Sequence, residues 1–167
     1  MSGWAIISTS VKKMWNEMKK PGTTPKGRLS FGWQIQMLAR IIESGMQDRL
    51  DPLGLTIPEF TCLMALLEGE GSTQTDLGRI TGAPEYATSR TVEKLVQANL
   101  VERLPHPTSR RAHQIHFTKK GKALAIQLPG LIKANNDHIL GGLSKTQRAQ
   151  LEGLLRQTLD HIADSVT

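Results

Sequence analysis

Thr73-Gln74-Thr75-Asp76-Leu77-Gly78-Arg79-Ile80-Thr81-Gly82-Ala83-Pro84-Glu85-Tyr86-Ala87-Thr88-Ser89-Arg90 places two helix starts in close succession. Thr73 to Asp76 reads as the first start, because a hydroxyl and a carboxylate at that spacing satisfy free amides of an opening helix. Leu77 and Ile80 give that helix a short apolar face, which stops at Thr81-Gly82. Gly82-Ala83-Pro84 makes a tight turn, with Pro placed for entry into the next helix. From Glu85 to Asn99 the positions Ala87, Thr91, Val92, Leu95 and Val96 keep a helical period. The stretch is thus a short helix and a longer one, joined by a turn that contains glycine.

Downstream the period changes. Residues 100–104 and 112–117 alternate as strands do, and Pro105-His106-Pro107-Thr108-Ser109-Arg110-Arg111 between them predicts a β-hairpin with a basic tip. Thr118 caps a helix over 119–140, which Pro129-Gly130 should kink or divide. Ser144-Lys145-Thr146-Gln147 is a second capping box, and Leu151, Leu154, Leu155, Leu159, Ile162 and Val166 mark the final helix.

Upstream, Thr56-Ile57-Pro58-Glu59 has capping-box form and predicts a helix over 57–68. Before it, Leu29, Trp33, Met37, Leu38, Ile41, Ile42 and Met46 give residues 29–50 a broad apolar helical surface, ended by Asp51-Pro52-Leu53-Gly54. Residues 19–27 hold two prolines, two glycines and three lysines and read as a linker. Ahead of it, Trp4, Ile7, Val11, Met14, Trp15 and Met18 form a short amphipathic segment, either a docking arm or a tail.

The chain has 167 residues and a formal charge of +6, a size that suits one domain with an appended arm. No window of 18 uncharged apolar residues is present, so a spanning helix is not expected. Cys62 is the single cysteine, and with no secretory pattern at the N-terminus the expected setting is cytoplasmic. The charge is uneven. Residues 1–28 carry Lys12, Lys13, Lys19, Lys20, Lys26 and Arg28 against Glu17 alone. Residues 86–122 carry Arg90, Lys94, Arg103, Arg110, Arg111, Lys119, Lys120 and Lys122 against Glu93 and Glu102. Two basic patches on an acidic remainder suit a surface that meets phosphates.

Helix, turn, longer helix and basic hairpin is the order of a winged helix-turn-helix, whose second helix enters the major groove of DNA. The fold class expected is therefore mainly α with a small β-hairpin wing, completed by a helical dimerisation region. In the 85–99 helix, Ala87, Thr91, Val92 and Leu95 are assigned to the buried face. That leaves Tyr86, Thr88, Ser89, Arg90, Glu93 and Lys94 exposed. Thr88 and Ser89 are short enough to reach phosphates or base edges, and Arg90 can hold guanine or a phosphate. Thr75 at the first helix start, Lys94, and Thr108, Arg110 and Arg111 on the wing complete the DNA-contact set. A guanidinium in a narrow minor groove meets an enhanced negative potential. One of the two wing arginines braces the hairpin in the alternative reading.

Taken in order, residues 73–78, Thr88-Ser89-Arg90-Thr91-Val92-Glu93-Lys94-Leu95, Asn99-Leu100-Val101-Glu102-Arg103, Ser109-Arg110-Arg111 and Phe117-Thr118-Lys119-Lys120-Gly121 resemble the MarR family of transcriptional regulators. The resemblance spans roughly residues 30–165. It implies a homodimer on a pseudo-palindromic operator in double-stranded DNA, and a repressor released by a small aromatic or anionic effector. In that scheme residues 1–28 are a basic arm and linker and 29–167 the domain. Within the domain, 57–118 is the winged helix-turn-helix, and 29–50 with 119–167 form the dimerisation helices. Trp33, Met37 and Met64 are assigned to an effector pocket, with core packing as the alternative. The chain departs from the family pattern at three places. His106 and Ser109 stand where Asp is common, so the carboxylate that orients the wing arginine is absent. Pro84 stands where a capping Ser is common.

Other chemistry is not expected. Asp76, Glu59 and the histidines lack catalytic spacing and no glycine-rich phosphate loop is present, so no enzyme and no cofactor are predicted. His113 and His116 fall on opposite strand faces, which disfavours a metal site with His106. Two alternatives remain on the same fold. One is a ligand-binding or protein-interaction module with little operator specificity, and the other is a redox sensor using Cys62.

Overall fold

The computed structural model describes residues 30–165, and the side chains of Arg110 and Arg111 are outside that description. The leading amphipathic segment, the linker, Leu29 and Val166 likewise lie outside the described residues.

Helix α1 runs Phe31–Leu50, opened by Ser30, whose hydroxyl accepts from the Trp33 amide at 3.4 Å. A single 3-10 turn, Asp51–Leu53, ends it, and Gly54 supplies the left-handed residue (φ 67°) that reverses the chain. Helix α2, Ile57–Glu68, starts at the expected box. The Glu59 carboxylate accepts from both the amide and the hydroxyl of Thr56, at 2.7 and 2.8 Å. Helix α3, Gln74–Thr81, begins in the same way. Asp76 accepts from the Thr73 hydroxyl at 2.6 Å, and the Asp76 amide donates back to that hydroxyl at 3.2 Å. Helix α4, Glu85–Gln97, follows Gly82-Ala83-Pro84 and has Pro84 at its N-cap without a side-chain cap bond.

Strands β1 (Val101–His106) and β2 (Ser109–Phe117) form one antiparallel ladder with Val101 opposite Phe117 and Pro105 opposite His113. The ladder is longer than the sequence suggests, so the turn narrows to Pro107-Thr108 between His106 and Ser109. A third segment ties down the base of the hairpin. The Gly71 amide donates to the Ile115 carbonyl, and the Ile115 amide to the Ser72 carbonyl, both at 3.0 Å.

The helix expected over 119–140 is divided, at Ile126-Gln127, into α5 (Lys119–Ala125) and α6 (Leu128–Ile139). Pro129 has no N–H to close onto a preceding turn, and its ring would meet the carbonyl four residues back, so it sits in the first turn of α6. Helix α7, Lys145–Ser165, opens at the Ser144 box, where the Ser144 amide donates to Gln147 Oε1 at 2.9 Å.

The core collects Leu50 of α1, Leu63 and Leu66 of α2, Leu77 of α3, Val92 and Leu95 of α4, and Val101 and Ile115 of the hairpin. Leu128 of α6 completes it, and all of these are fully buried. Two contacts set how closely elements approach. At Gly121 an added Cβ would overlap the Leu100 carbonyl, so α5 lies directly on the chain that enters the wing. At Gly45 it would meet Asn135 Oδ1 at 2.6 Å. Asn135 is fully buried, and both of its polar side-chain atoms have a hydrogen-bond partner. Its Nδ2 donates to the Ile42 carbonyl at 3.0 Å, and its Oδ1 accepts from Arg49 Nη1 at 3.0 Å.

Helix α7 has no buried residue. Among the described residues it meets α6 through Arg148, which donates to Asp137 at 2.9 Å and to the Leu140 carbonyl at 3.1 Å. Leu154, Leu159 and Ile162 are 63%, 66% and 52% exposed, so the stripe read from the sequence exists but faces outward.

Gly121→Ala is expected to lower unfolding stability by about 1–3 kcal/mol or more, because the Leu100 backbone cannot step aside as a side chain would. Urea denaturation followed by circular dichroism measures it, and a change within error would show that α5 is free to move off the wing. A second expectation concerns pH. Asp76, Asp137 and Glu70 are all held below their ordinary values, chiefly by hydrogen bonds from Thr73, Lys133 and Lys122 respectively. Their stabilisation is therefore complete above the ordinary carboxylate range and is lost as pH falls through the lowered values. Thermal melts should hold steady down to about pH 5 and drop below about pH 4.

Candidate nucleic-acid interface

The outer ridge of α4 is built by what its inner face needs. Val92 and Leu95 are buried, and so is Thr88, at 4% exposure. Thr88 was expected on the exposed set, and the structure corrects this. Its hydroxyl donates to the Pro84 carbonyl at 3.2 Å, and it sits beside Gly78 of α3, where an added Cβ would meet Thr88 Oγ1 at 3.2 Å. A threonine that satisfies its hydroxyl on the preceding turn can be buried at no unmatched polar cost, and the missing side chain at Gly78 makes the room. Ala87 and Thr91, expected inside, are half-buried instead.

The remaining α4 residues behave as expected or nearly so. Tyr86 is 70% exposed and Arg90 and Lys94 are exposed, while Ser89 is half-buried. Arg90 and Lys94 share a groove with Thr56 and Pro58 at the start of α2. Thr75 is exposed in the first turn of α3. It lines a surface cavity of about 600 Å³ with Gln74, Arg103, Ser109, Ala112 and His113, between α3 and the wing. Arg103 Nη2 donates to Gln74 Oε1 across that cavity at 3.4 Å. Sequence reading missed Gln74 and Arg103 as a pair, because they are 29 residues apart and only the hairpin brings them together. Thr108 is exposed at the wing turn, and Arg110 and Arg111 are placed on β2 by their backbone.

The basic patch divides into two groups. Lys120 Nζ donates to the Ala98 carbonyl at 2.9 Å, putting a cation at the C-terminal end of α4, where the helix dipole favours one. Lys122 pairs with Glu70 at 2.9 Å, and Glu70 also accepts from the Phe117 amide at 3.3 Å, so this pair fastens the end of the wing. Arg79 pairs with Asp76 at 3.1 Å. Among the described residues Arg90, Lys94 and Lys119 are exposed with no ion pair. Their charge faces solvent.

The other assigned residues do not converge. Trp33 and Met64 are half-buried and Met37 is buried. Met64 packs against the core, and none of the three lines the cavities described. Cys62 is buried in α2, and burial pushes its thiol up to about 12, which disfavours the thiolate that redox chemistry uses. No group of three or more His, Cys, Asp or Glu placed to hold a metal occurs among the described residues, and no single described helix is long and apolar enough to cross a membrane.

Comparison with known proteins points one way. Residues 53–112 match the family model described as MarR family. An HTH-type transcriptional repressor of Mycobacterium tuberculosis is 27% identical over 127 residues, covering 76% of this chain and 91% of the repressor. A mutant MarR from E. coli complexed with operator DNA is 26% identical with a TM-score of 0.70, covering 77% of this chain and 92% of that one. A Mycobacterium tuberculosis MarR family protein in complex with salicylic acid is also 26% identical. It has a TM-score of 0.60 and coverage of 77% and 98%.

The burial of Thr88 yields a direct test. Thr88→Ala should cost about 1 kcal/mol of stability from the lost hydroxyl bond and packing, whereas Tyr86→Ala and Arg90→Ala should leave the melting temperature nearly unchanged. A Thr88→Ala protein as stable as wild type would return Thr88 to the surface.

Proposed function

We propose that this chain, which is similar to MarR family proteins, is a sequence-specific DNA-binding transcriptional regulator, a homodimeric repressor released by a small aromatic or anionic effector. The observation that carries this reading is the exposed ridge of α4, Tyr86 and Arg90, standing beside a hairpin whose base is fastened at Glu70, Gly71 and Ser72. A recognition helix needs exposed donors on a rigid mount, and the mount here is the shared core. The wing side chains Arg110 and Arg111, with Thr75, Ser89, Lys94 and Thr108, are proposed to join Tyr86 and Arg90 on the DNA.

The division of labour proposed is a reading lobe at 57–118, dimerisation helices at 29–50 and 119–167, and a basic arm at 1–28. The exposed Leu154, Leu159 and Ile162 support it, since a contiguous apolar face of that kind marks an interface. Two-fold pairing sets two α4 helices about one DNA turn apart and calls for a pseudo-palindromic site. The relative bound to operator DNA supports the partner, and the salicylic acid complex supports the effector class. An effector that binds better to a dimer with mis-spaced recognition helices weakens DNA affinity by that difference. Trp33, Met37 and Met64 are proposed as effector contacts in the assembled dimer. The protein is proposed to act without enzymatic activity, in the cytoplasm.

Fluorescence anisotropy on DNA from upstream of its own gene tests the reading. If six or more phosphates are neutralised, affinity should fall by about three orders of magnitude between roughly 50 and 200 mM salt. Equally weak binding to every duplex would leave a module without operator specificity. Arg110→Ala combined with Arg111→Ala should abolish binding while light scattering still reports a dimer. Leu154→Glu with Leu159→Glu should do the reverse, giving a folded monomer whose DNA affinity falls because half-sites no longer act together. A dimer that survives those two glutamates would place the interface elsewhere.

A further inference from the structure

The wing turn is closed by an unusual acceptor. The Thr108 amide donates to His106 Nδ1 at 3.2 Å, and the Thr108 hydroxyl lies 3.3 Å from the same nitrogen. A backbone N–H only donates, so in this contact Nδ1 is the acceptor. Nδ1 is bonded to Cγ, as Oδ1 is in Asp and Asn. The imidazole thus reproduces an Asx-type turn, in which a side chain accepts from the amide two residues on. It does so at a position where the related pattern has a carboxylate. The two acceptors differ in one respect. A carboxylate stays an acceptor at every pH above its acidic range, whereas imidazole loses its lone pair on protonation and ordinarily titrates between about pH 5 and 8.

We propose that His106 is a positioning residue for DNA binding, whose Nδ1 closes the turn leading into the strand that bears Arg110 and Arg111 and whose protonation opens it, so that DNA affinity falls as pH falls. The inference rests on the DNA-binding reading above. On β1 the charged residues are Glu102 and Arg103, the latter bonded to Gln74 of α3. Across the ladder β2 brings Ser109 opposite His106, with Arg110, Arg111, His113 and His116 further along. On α3 the carboxylate of Asp76 is held by Thr73 and Arg79. No ion pair to His106 occurs among the described side chains. Charge alone predicts the opposite sign, because an added cation beside phosphates strengthens binding. The direction of the pH dependence therefore separates the two roles.

Two variants and two readouts test it. In His106→Asn the acceptor stays on Cγ at every pH, and in His106→Gln it moves one bond further out. In the free protein, amide exchange at Thr108 followed by nitrogen-15 NMR should show protection lost across the imidazole titration in wild type. Protection should be kept at low pH in His106→Asn and absent throughout in His106→Gln. Protection that persists in protonated wild type, or His106→Gln behaving as His106→Asn, overturns the cap. On a duplex from upstream of its own gene at fixed salt, wild-type affinity relative to His106→Asn should drop about two- to tenfold between about pH 8 and 5.5, the ratio set by one neutral hydrogen bond. A constant or rising ratio shows that His106 acts through charge or not at all, and overturns the inference. Failure of every variant to bind any duplex would overturn the DNA-binding reading, and the exchange readout would still decide whether the cap exists.

Discussion

A buried amide must be matched on every side, and Asn135 imposes that requirement on the centre of the molecule. Its nitrogen donates to a carbonyl of α1 and its oxygen accepts a hydrogen bond from the Arg49 guanidinium, which also donates to the Gly45 carbonyl at 2.6 Å. A Cβ at 45 would run into the Asn135 carboxamide, so the glycine makes room for that amide. The rotation and height of α1 against α6 are thereby fixed together, since a slip of one residue would leave a buried amide unpaired at a cost of about 1–3 kcal/mol. From α6 the constraint passes outward to α7 through Asp137 and Arg148. Apolar packing could tolerate several such arrangements, and the polar node selects one.

Helices α3 and α4 and the hairpin are mounted by a different kind of constraint. Backbone meets backbone at Gly121 and Leu100, and α3 meets α4 at Gly78 and Thr88, with no flexible side chain in between. Helix α4 has no side-chain cap at its start, where Pro84 sets only the angle of entry, and a lysine at its end, where Lys120 holds the Ala98 carbonyl. The basic residues of this region thus serve two purposes. Some steady the helix and the wing, and others stand free on the surface that a polyanion would meet.

Much of this was legible in the residues because capping is local. Thr56 with Glu59, Thr73 with Asp76 and Ser144 with Gln147 each announce a helix start within four residues, and each start lies where the pattern put it. The division of 119–140 was legible in kind but not in place, since Pro129 acts on the turn before it. What could not be read depends on contacts across the fold. Thr88 looks like a surface hydroxyl until Gly78 is brought beside it, and Asn135 looks like one more polar position of an amphipathic helix. The Gln74–Arg103 bond and the Lys122–Glu70 pair likewise join residues that only the folded hairpin makes neighbours.

The bare face of α7 bears on how such a protein is regulated by its own abundance. A helix held at one end by an ion pair and a carbonyl contact, with leucines facing water, gains its remaining stability from whatever covers it. Covered by a second copy, it makes folding and concentration a single equilibrium, so that scarce chains are also the less protected ones.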